Sequence, residues 1–214
     1  MSGELVVTRM KPLSELNDAE LLRSMMDGNE EALGALYERR QGAVFRFAWQ
    51  MSGSQTVAED VTQEVFLFLI REARIFDPNR GSVSAFLMGV ARNYVLRRLR
   101  GDHALVSLGD DSDDDFSSDR VDTDVSPLDD LTRAETIEHV RKAVLSLPEK
   151  YREVVVLCEL HELNYKETAE ILECAIGTVR SRLHRARAIL LEKLRPANLE
   201  NESASALKSA RCFA

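Results

Sequence analysis

The sequence is short of turn-forming residues, cysteines and long apolar runs. It has ten glycines and five prolines in 214 residues, well under the usual combined share of about 12%, which favours helices over a many-stranded β fold. The three cysteines, Cys158, Cys174 and Cys212, are too few and too unevenly spaced for a disulfide framework, so a reducing, cytoplasmic setting is expected. No apolar run approaches the roughly 20 residues that span a bilayer, and Met1–Lys11 lacks the pattern of a secretory leader, so no membrane insertion is expected.

Motifs of enzymes and metal sites are also missing. The sequence has no nucleophile elbow, no phosphate-binding glycine loop and no paired catalytic carboxylates, so we expect neither an enzyme nor a cofactor. The candidate zinc ligands are Cys158, His161, Cys174 and His184. Their spacing does not fit the common structural zinc sites, and Cys158 follows an apolar stretch, so Cys158 and Cys174 are better explained as small buried residues. No metal is expected.

The negative charge is concentrated in one segment. The whole chain carries −8, but residues 101–130 hold eleven aspartates against one arginine, a net charge of −10, so the other 184 residues carry +2. The segment is rich in serine and lacks periodic apolar residues, which indicates a flexible acidic linker between two folded parts. We expect domains at 12–101 and 128–195, a linker at 102–127 and a disordered tail at 196–214.

Both flanking parts have the apolar periodicity and the capping signals of helices. In the first part, Asn17 and Glu20 form a capping-box pattern, and helices are expected from there to about 27, over 30–51, over 57–75, and from Ser82 to about 100. In the second part, helices are expected over 131–146, 149–160, 165–173 and 177–195, with a capping-box pattern at Asn164 and Glu167. The expected fold class is all-α, with two small helical domains joined by the acidic linker.

Two of the expected helices carry clustered arginines. The last one has apolar residues at steps of three and four, and residues 176–195 include six basic residues against one acidic residue, a net charge of +5. A short helix, a three-residue connection and a basic second helix are typical of a helix-turn-helix, whose second helix lies in the DNA major groove. A solvated arginine-rich face is the alternative.

The second arginine cluster lies among aromatic residues. It comprises Arg92, Arg97, Arg98 and Arg100, near Phe76, Phe86 and Tyr94. Basic side chains interleaved with aromatic rings suit single-stranded DNA, because bases stack on the rings while the positive charges follow the backbone. A purely structural role for these rings in a small helical core is the alternative.

Six segments carry a family resemblance. In the first part, AEDVTQEVF at 58–66, FDPNRGS at 76–82 and ARN at 91–93 resemble conserved region 2 of bacterial sigma factors. In the second part, LPEKYREV at 147–154, YKETAEIL at 165–172 and GTVRSRLHRAR at 177–187 resemble region 4. Because only these two regions and a short linker are present, the chain resembles the extracytoplasmic-function (group IV) RNA polymerase sigma factors over about 150 of its 214 residues.

The resemblance implies a function, its partners and its residues. Such a protein would bind the β′ clamp helices and the β flap of bacterial core RNA polymerase and direct promoter-specific transcription initiation, usually under the control of an anti-sigma factor. The positions matching polymerase contacts are Asp60, Gln63, Glu64 and Phe66, which are expected to present acid, amide and aromatic groups on one face of a helix. Those matching contacts to the melted −10 element are Arg80, Gly81, Ser82, Phe86, Arg92, Asn93 and Arg97. Those matching contacts to the −35 element are Thr178, Arg180, Ser181, His184 and Arg185. Many relatives have tryptophan where this chain has Phe86, which implies weaker support of the melted strand.

Two alternatives account for fewer of these features. A stand-alone helix-turn-helix transcriptional regulator would explain residues 176–195 but leaves the helix around Asp60 and the loop at Arg80 without a role. A helical adaptor that binds only proteins would leave both arginine clusters unused. For the linker, we hypothesise that its aspartates occupy a positively charged polymerase channel until RNA displaces them.

Overall fold

The computed structural model describes residues 12–105 and 127–195, with the side chains of 12–101 and 135–195. The helices are α1 (Asp18–Met26), α2 (Glu30–Ser52), α3 (Gln55–Glu72), α4 (Val83–Leu105), α5 (Pro127–Leu145), α6 (Glu149–Val155), α7 (Tyr165–Ile171) and α8 (Ile176–Lys193). There are 3-10 turns at Leu13–Glu15 and Ala73–Ile75 and a π-helical turn at Val156–Leu160. The expected all-α fold class is confirmed. Most of the expected linker, at 106–126, and all of the expected tail, at 196–214, lie outside the described residues.

Polar side chains cap the starts of α1 to α4, as the sequence predicted at Asn17 and Ser82. Asn17 Oδ1 accepts a hydrogen bond from the Glu20 backbone N–H at 2.9 Å, and Glu20 Oε2 accepts one from the Asn17 N–H at 2.8 Å, which completes a capping box. The side chains of Asn29 and Ser54 accept backbone hydrogen bonds at the starts of α2 and α3. Ser82 Oγ does the same for α4 at 3.1 Å, as predicted.

Helix α2 is the centre of the first half. It packs against α1, α3 and α4, while α3 and α4 also pack against each other. Phe47 and Met51 of α2, Leu69 of α3 and Leu87 of α4 are fully or almost fully buried in the resulting core. Burying one such side chain stabilises the fold by about 1.5–3 kcal/mol. This packing fixes which faces of α3 and α4 point outward.

The second half contains a helix-turn-helix formed by α7 and α8. A second complete capping box, Asn164 with Glu167, starts α7, and a turn in which Glu173 has a φ of 50° leads into α8. Helix α8 packs against α6 and α7. In none of the parts that the structure describes does a helix combine the length and apolar composition required to cross a membrane.

The two halves are packed against each other. Helix α7 lies against α4, and α5 and the π-helical turn lie against α2. Arg152 of α6 donates a hydrogen bond of 2.7 Å to the Met51 carbonyl near the end of α2, and His161 Nε2 lies 2.9 Å from Gln50 Oε1. Buried apolar residues of both halves form one continuous cluster. The sequence predicted two helical parts, but it did not predict this contact between them.

Gly53 lies at this contact and ends α2. Its φ is 77°, in the left-handed region that L side chains rarely adopt, which explains why the helix stops there. Space is limited as well, because a Cβ at this position would lie 3.1 Å from Leu145 Cδ1 of α5. A larger residue would therefore be strained in its backbone and would also press against the second half.

Candidate nucleic-acid interface

Helix α8 has one buried face and one exposed basic face. Val179, Leu183 and Ala186 are at most 2% exposed and anchor the helix on α6 and α7. Of the residues predicted to contact the −35 element, Arg180, Ser181, His184 and Arg185 are exposed and Thr178 is half-buried. The five residues lie within the first ten positions of the 18-residue helix, and the N-terminal part of such a helix contacts base edges in helix-turn-helix proteins.

Neighbouring side chains order this exposed face. The Arg180 guanidinium lies 5.8 Å from the centre of the Tyr165 ring, and Ser181 Oγ donates a hydrogen bond of 3.0 Å to the Thr178 carbonyl. Arg187 instead pairs with Glu159, whose carboxylate raises the pKa of that guanidinium. Arg187 therefore forms an exposed ion pair with another residue of the same chain, whereas Arg185 points outward on the exposed face.

The residues predicted to hold the −10 strand surround a cleft at the start of α4. The cleft has a volume of about 290 Å³, and its lining includes Arg80, Gly81, Ser82, Phe86 and Asn93. Phe86 is half-buried, and its ring centre lies 5.6 Å from that of Phe76 and 6.4 Å from that of Phe68. Phe76 and Phe86 thus pack on each other, as in the structural alternative, and they also line an open cleft, which the single-strand prediction requires.

Farther along α4, Arg92 and Arg97 line a neighbouring hollow together with Asn93. Arg97 is exposed, and its guanidinium lies 5.3 Å from the centre of the Tyr94 ring. Arg92 is much less accessible, since only 19% of its side chain is exposed and its Nε lies 2.6 Å from Glu153 Oε1. The structure therefore brings all seven predicted −10 residues to one continuous side of α4 and its preceding loop.

Carboxylates of the second half approach this surface, and the sequence predicted none of these contacts. Glu167 Oε1 accepts hydrogen bonds from the Ser82 backbone N–H at 3.1 Å and from Ser82 Oγ at 2.6 Å. Glu170 Oε2 lies 3.4 Å from Arg80 Nε. One signal was visible in the sequence, since Glu153 directly precedes the apolar stretch that begins at Val154, but its partner is 61 positions away and no local spacing identifies it.

The predicted polymerase-binding residues on α3 divide between two faces. Asp60, Gln63 and Glu64 lie on the outward face, where Arg98 of α4 bridges Asp60 at 2.8 Å and Glu64 at 3.0 Å. The hydrogen bond that Arg98 donates to the Glu64 carboxylate is the main reason that the pKa of the Arg98 guanidinium is raised. Phe66 is only 4% exposed, and its ring packs against Tyr37 at 4.7 Å. The expectation of acid, amide and aromatic groups on one face therefore needs correction for Phe66, which supports α3 from inside.

The structure also locates two of the cysteines. Cys158 and Cys174 are half-buried thiols, and Cys158 Sγ lies 3.3 Å from Thr168 Oγ1. Burial raises the pKa of the Cys158 thiol, which makes it a poor nucleophile. Among the described residues, no three histidine, cysteine or acidic side chains are grouped in a way that could hold a metal ion. Cys212 lies outside the described residues.

Comparison with known proteins gives matches to both halves. The family model "Sigma-70 region 2" matches residues 36–104, and "Sigma-70, region 4" matches residues 137–190. The ECF RNA polymerase sigma factor SigW of Bacillus subtilis (strain 168) is 30% identical over 178 residues, covering 81% of this chain and 95% of the relative. The ECF RNA polymerase sigma-E factor of Escherichia coli (strain K12) is 31% identical over 194 residues, covering 85% and 96%. A solved structure of the sigma factor RpoE in complex with the anti-sigma factor NepR from Bartonella quintana has 27% identity and a TM-score of 0.59, covering 75% of this chain and 95% of that chain.

Proposed function

This chain belongs to the ECF RNA polymerase sigma factors, which direct transcription initiation, and from that premise we propose which of its residues recognise a promoter. Helix α8 reads the −35 element in the major groove, and the cleft at the start of α4 captures the melted −10 strand. The observation that carries the proposal is the exposed face of α8, which presents Arg180, Ser181, His184 and Arg185 while its opposite face is buried. Arginine is suited to the O6 and N7 acceptors of guanine, and serine to phosphate or base contact.

The −10 role follows from the chemistry of the cleft. Phe86 and Phe76 offer aromatic surface on which an unstacked base can pack, and Arg80 and Arg97 offer positive charge to the strand. Taking a base out of the duplex stack costs a few kcal/mol. A pocket shaped to the base, together with stacking on aromatic rings, offsets this cost. We assign Arg80, Gly81, Ser82, Phe86, Arg92, Asn93 and Arg97 to this strand.

The polymerase-binding role is assigned to the outward face of α3. Asp60, Gln63 and Glu64 supply two carboxylates and an amide at helical spacing. We propose that they bind the β′ clamp helices of core RNA polymerase, and that the second half binds the β flap. Phe66 contributes by holding α3 in place through its packing against Tyr37. No catalytic group is required of this chain, since the polymerase performs the chemistry.

Control by an anti-sigma factor and a cytoplasmic location complete the proposal. A similar sigma factor, RpoE, has been solved in complex with the anti-sigma factor NepR. We propose that this chain is likewise held by an anti-sigma protein and acts in the cytoplasm, where the polymerase and the promoter are found.

The decisive experiment is run-off transcription with bacterial core polymerase on a library of promoters. The chain is expected to direct discrete start sites that share a −35 and a −10 sequence, and no start sites are expected with core polymerase alone. Failure to direct any start site would contradict the proposal. Tight binding of duplex promoter DNA without core polymerase would instead favour a stand-alone helix-turn-helix regulator.

A further inference from the structure

We propose that Arg98 of α4 is a positioning residue for polymerase binding, because it holds Asp60 and Glu64 of α3 in the arrangement that the polymerase engages. Arg98 Nη1 donates a hydrogen bond of 2.8 Å to Asp60 Oδ2, and Nη2 donates one of 3.0 Å to Glu64 Oε1. The inference rests on the proposed docking role of the outward face of α3. It goes beyond that role because it makes docking depend on a side chain of another helix.

The bridge depends on the forked shape of the guanidinium. Asp60 and Glu64 are four positions apart on α3, so their side chains are neighbours on one helix face, where two like charges repel each other. A planar guanidinium presents N–H groups in fixed directions and can bond two carboxylates at once. Arg98 therefore offsets the repulsion and fixes the separation of the two acids.

The bridge leaves both carboxylates accessible to a partner. The side chains of Arg98, Asp60 and Glu64 are 40%, 43% and 38% exposed. The two hydrogen bonds use one oxygen of each carboxylate, so Asp60 Oδ1 and Glu64 Oε2 can accept from a partner. The three side chains together carry one negative charge at neutral pH, which suits a partner surface with basic side chains.

Stability is a poor explanation for this bridge. Ion pairs between exposed side chains contribute little to the free energy of unfolding, and α3 and α4 already pack together, with Val65 and Val95 fully buried. Binding gains more, because a flexible side chain that is ordered before association does not have to be ordered during it. Arg98 thus contributes to affinity by ordering the two carboxylates in advance.

Its place on α4 also separates Arg98 from the arginines assigned to the promoter strand. Arg97 lies over the Tyr94 ring and lines the hollow next to the cleft together with Arg92. Arg98 follows Arg97 directly in the sequence, but its guanidinium bonds α3. Helix α4 therefore presents one set of arginines to the strand and a single arginine to the polymerase-binding face.

The first test removes the bridge in R98A. Affinity of the full-length chain for purified core polymerase is measured by fluorescence polarisation, with the label at the same position in every variant. We expect a Kd about fivefold higher, equivalent to about 1 kcal/mol, which is the cost of ordering one or two flexible side chains on binding. The sign of the change is decisive. Loss of a positive charge alone would make the docking face more acidic and tighten binding to a basic partner, so unchanged or tighter binding by R98A would overturn the inference.

Two further variants separate charge from geometry. R23A is the matched control, since it removes one exposed positive charge from α1, and we expect it to bind core polymerase as tightly as the unaltered chain. An equal loss in R23A would show a general effect of charge and contradict the inference. R98K keeps the charge, but an ammonium lacks the rigid fork, so we expect it to bind more weakly than the unaltered chain. Full affinity in R98K would disprove the bridging role.

A mutant cycle excludes a general defect in folding. In D60N/E64Q no carboxylate remains for Arg98 to hold, so the addition of R98A should cause no further loss of affinity for core polymerase. A further loss in D60N/E64Q/R98A, as large as that in R98A alone, would show that Arg98 acts independently of the two acids and would overturn the inference.

The outcomes also separate this inference from the proposed function. If D60N/E64Q binds core polymerase as tightly as the unaltered chain, the proposed docking face fails and the role of Arg98 fails with it. If D60N/E64Q binds more weakly but R98A does not, only the role of Arg98 is disproved. Weaker binding of a single-stranded −10 oligonucleotide by the R98A holoenzyme, with unchanged affinity for core polymerase, would instead return Arg98 to the DNA-binding arginines.

Discussion

Glu153 of α6 and Arg92 of α4 form an ion pair across the two halves of the molecule, with Oε1 and Nε 2.6 Å apart. The pair couples the packing of the helix-turn-helix domain to a residue assigned to the promoter strand. Its burial sets it apart from the other carboxylate contacts at the same interface.

Replacement of this buried carboxylate should destabilise the folded chain. Glu153→Ala leaves the Arg92 guanidinium largely buried without a counter-charge, and we expect a loss of about 3 kcal/mol in the free energy of unfolding. Urea denaturation followed by circular dichroism measures the loss. Arg80→Ala is the control, since its pair with Glu170 is exposed and should contribute less than about 1 kcal/mol. Equal losses in the free energy of unfolding for the two variants would contradict the stated difference in burial between the two ion pairs.

On α8, Arg185→Ala should change promoter selection at one position. If Arg185 reads a guanine, its loss costs about 1–3 kcal/mol at a single −35 base pair and relaxes the preference there. Holoenzyme binding to promoters varied one base pair at a time measures this. Arg187→Ala is the matched control, because Arg187 pairs with Glu159. A uniform loss across all sequences would show instead that Arg185 contacts phosphate.

On α3, the double variant Asp60→Asn with Glu64→Gln should weaken binding to core polymerase at least tenfold. The change removes both charges from the outward face while keeping side-chain size. Affinity for purified core enzyme, measured by fluorescence polarisation of the labelled chain, gives the readout. Glu72→Gln at the end of the same helix is the control, and an equal loss in that variant would indicate a general charge effect rather than a defined docking face.

In the cleft, Phe86→Ala should impair promoter opening more than polymerase binding. Loss of a stacking ring costs about 1–3 kcal/mol per base. Permanganate footprinting of the −10 region in the holoenzyme measures the melted fraction. Phe86→Trp should restore or exceed the original opening, since tryptophan offers a larger stacking surface. Unchanged melting in Phe86→Ala would exclude this ring from strand capture.

At the joint between the halves, His161 should make stability depend on pH. Burial, together with the nearby Arg46 charge, lowers the pKa of His161 to about 4 from 6.5. The unfolded chain therefore binds the proton more readily, and stability falls as pH drops from about 6.5 towards 4. Because of this group, the free energy of unfolding should be about 1 kcal/mol lower at pH 5.5 than at pH 7.5. Urea denaturation at both pH values should give a smaller difference in the free energy of unfolding for His161→Gln than for the unaltered chain. An identical difference in the two proteins would refute this role of His161.

Local signals in the sequence predicted much of the fold. The capping boxes at Asn17 and Asn164 and the helix end at Gly53 depend on residues close together in the chain, so their patterns are visible without a structure. The exposed face of α8 followed from its apolar spacing. Phe66 was assigned to the same helix face as Glu64, which is wrong. Helical geometry alone could have shown this, because Phe66 is two positions after Glu64 and therefore points about 200° away from it.

Contacts between distant segments could not be predicted in this way. Glu167 was recognised as a helix cap, and it does cap α7, but its other carboxylate oxygen binds Ser82 across the interface. Arg98 was grouped with the DNA-binding arginines, yet it bridges two carboxylates of α3. A single sequence specifies which groups are charged, whereas their partners depend on how the helices are packed.

The exposed contacts that Glu167 makes with Ser82 and Glu170 makes with Arg80 affect how DNA binding by the free chain depends on salt concentration. Added salt weakens binding to a nucleic acid because the release of counterions becomes less favourable, but it also screens the exposed carboxylate contacts between the halves. The two effects oppose each other wherever these carboxylates contact Ser82 and Arg80. The affinity of the free chain for a DNA strand should therefore fall less steeply with ionic strength than that of a variant in which Glu167 and Glu170 are replaced by glutamine.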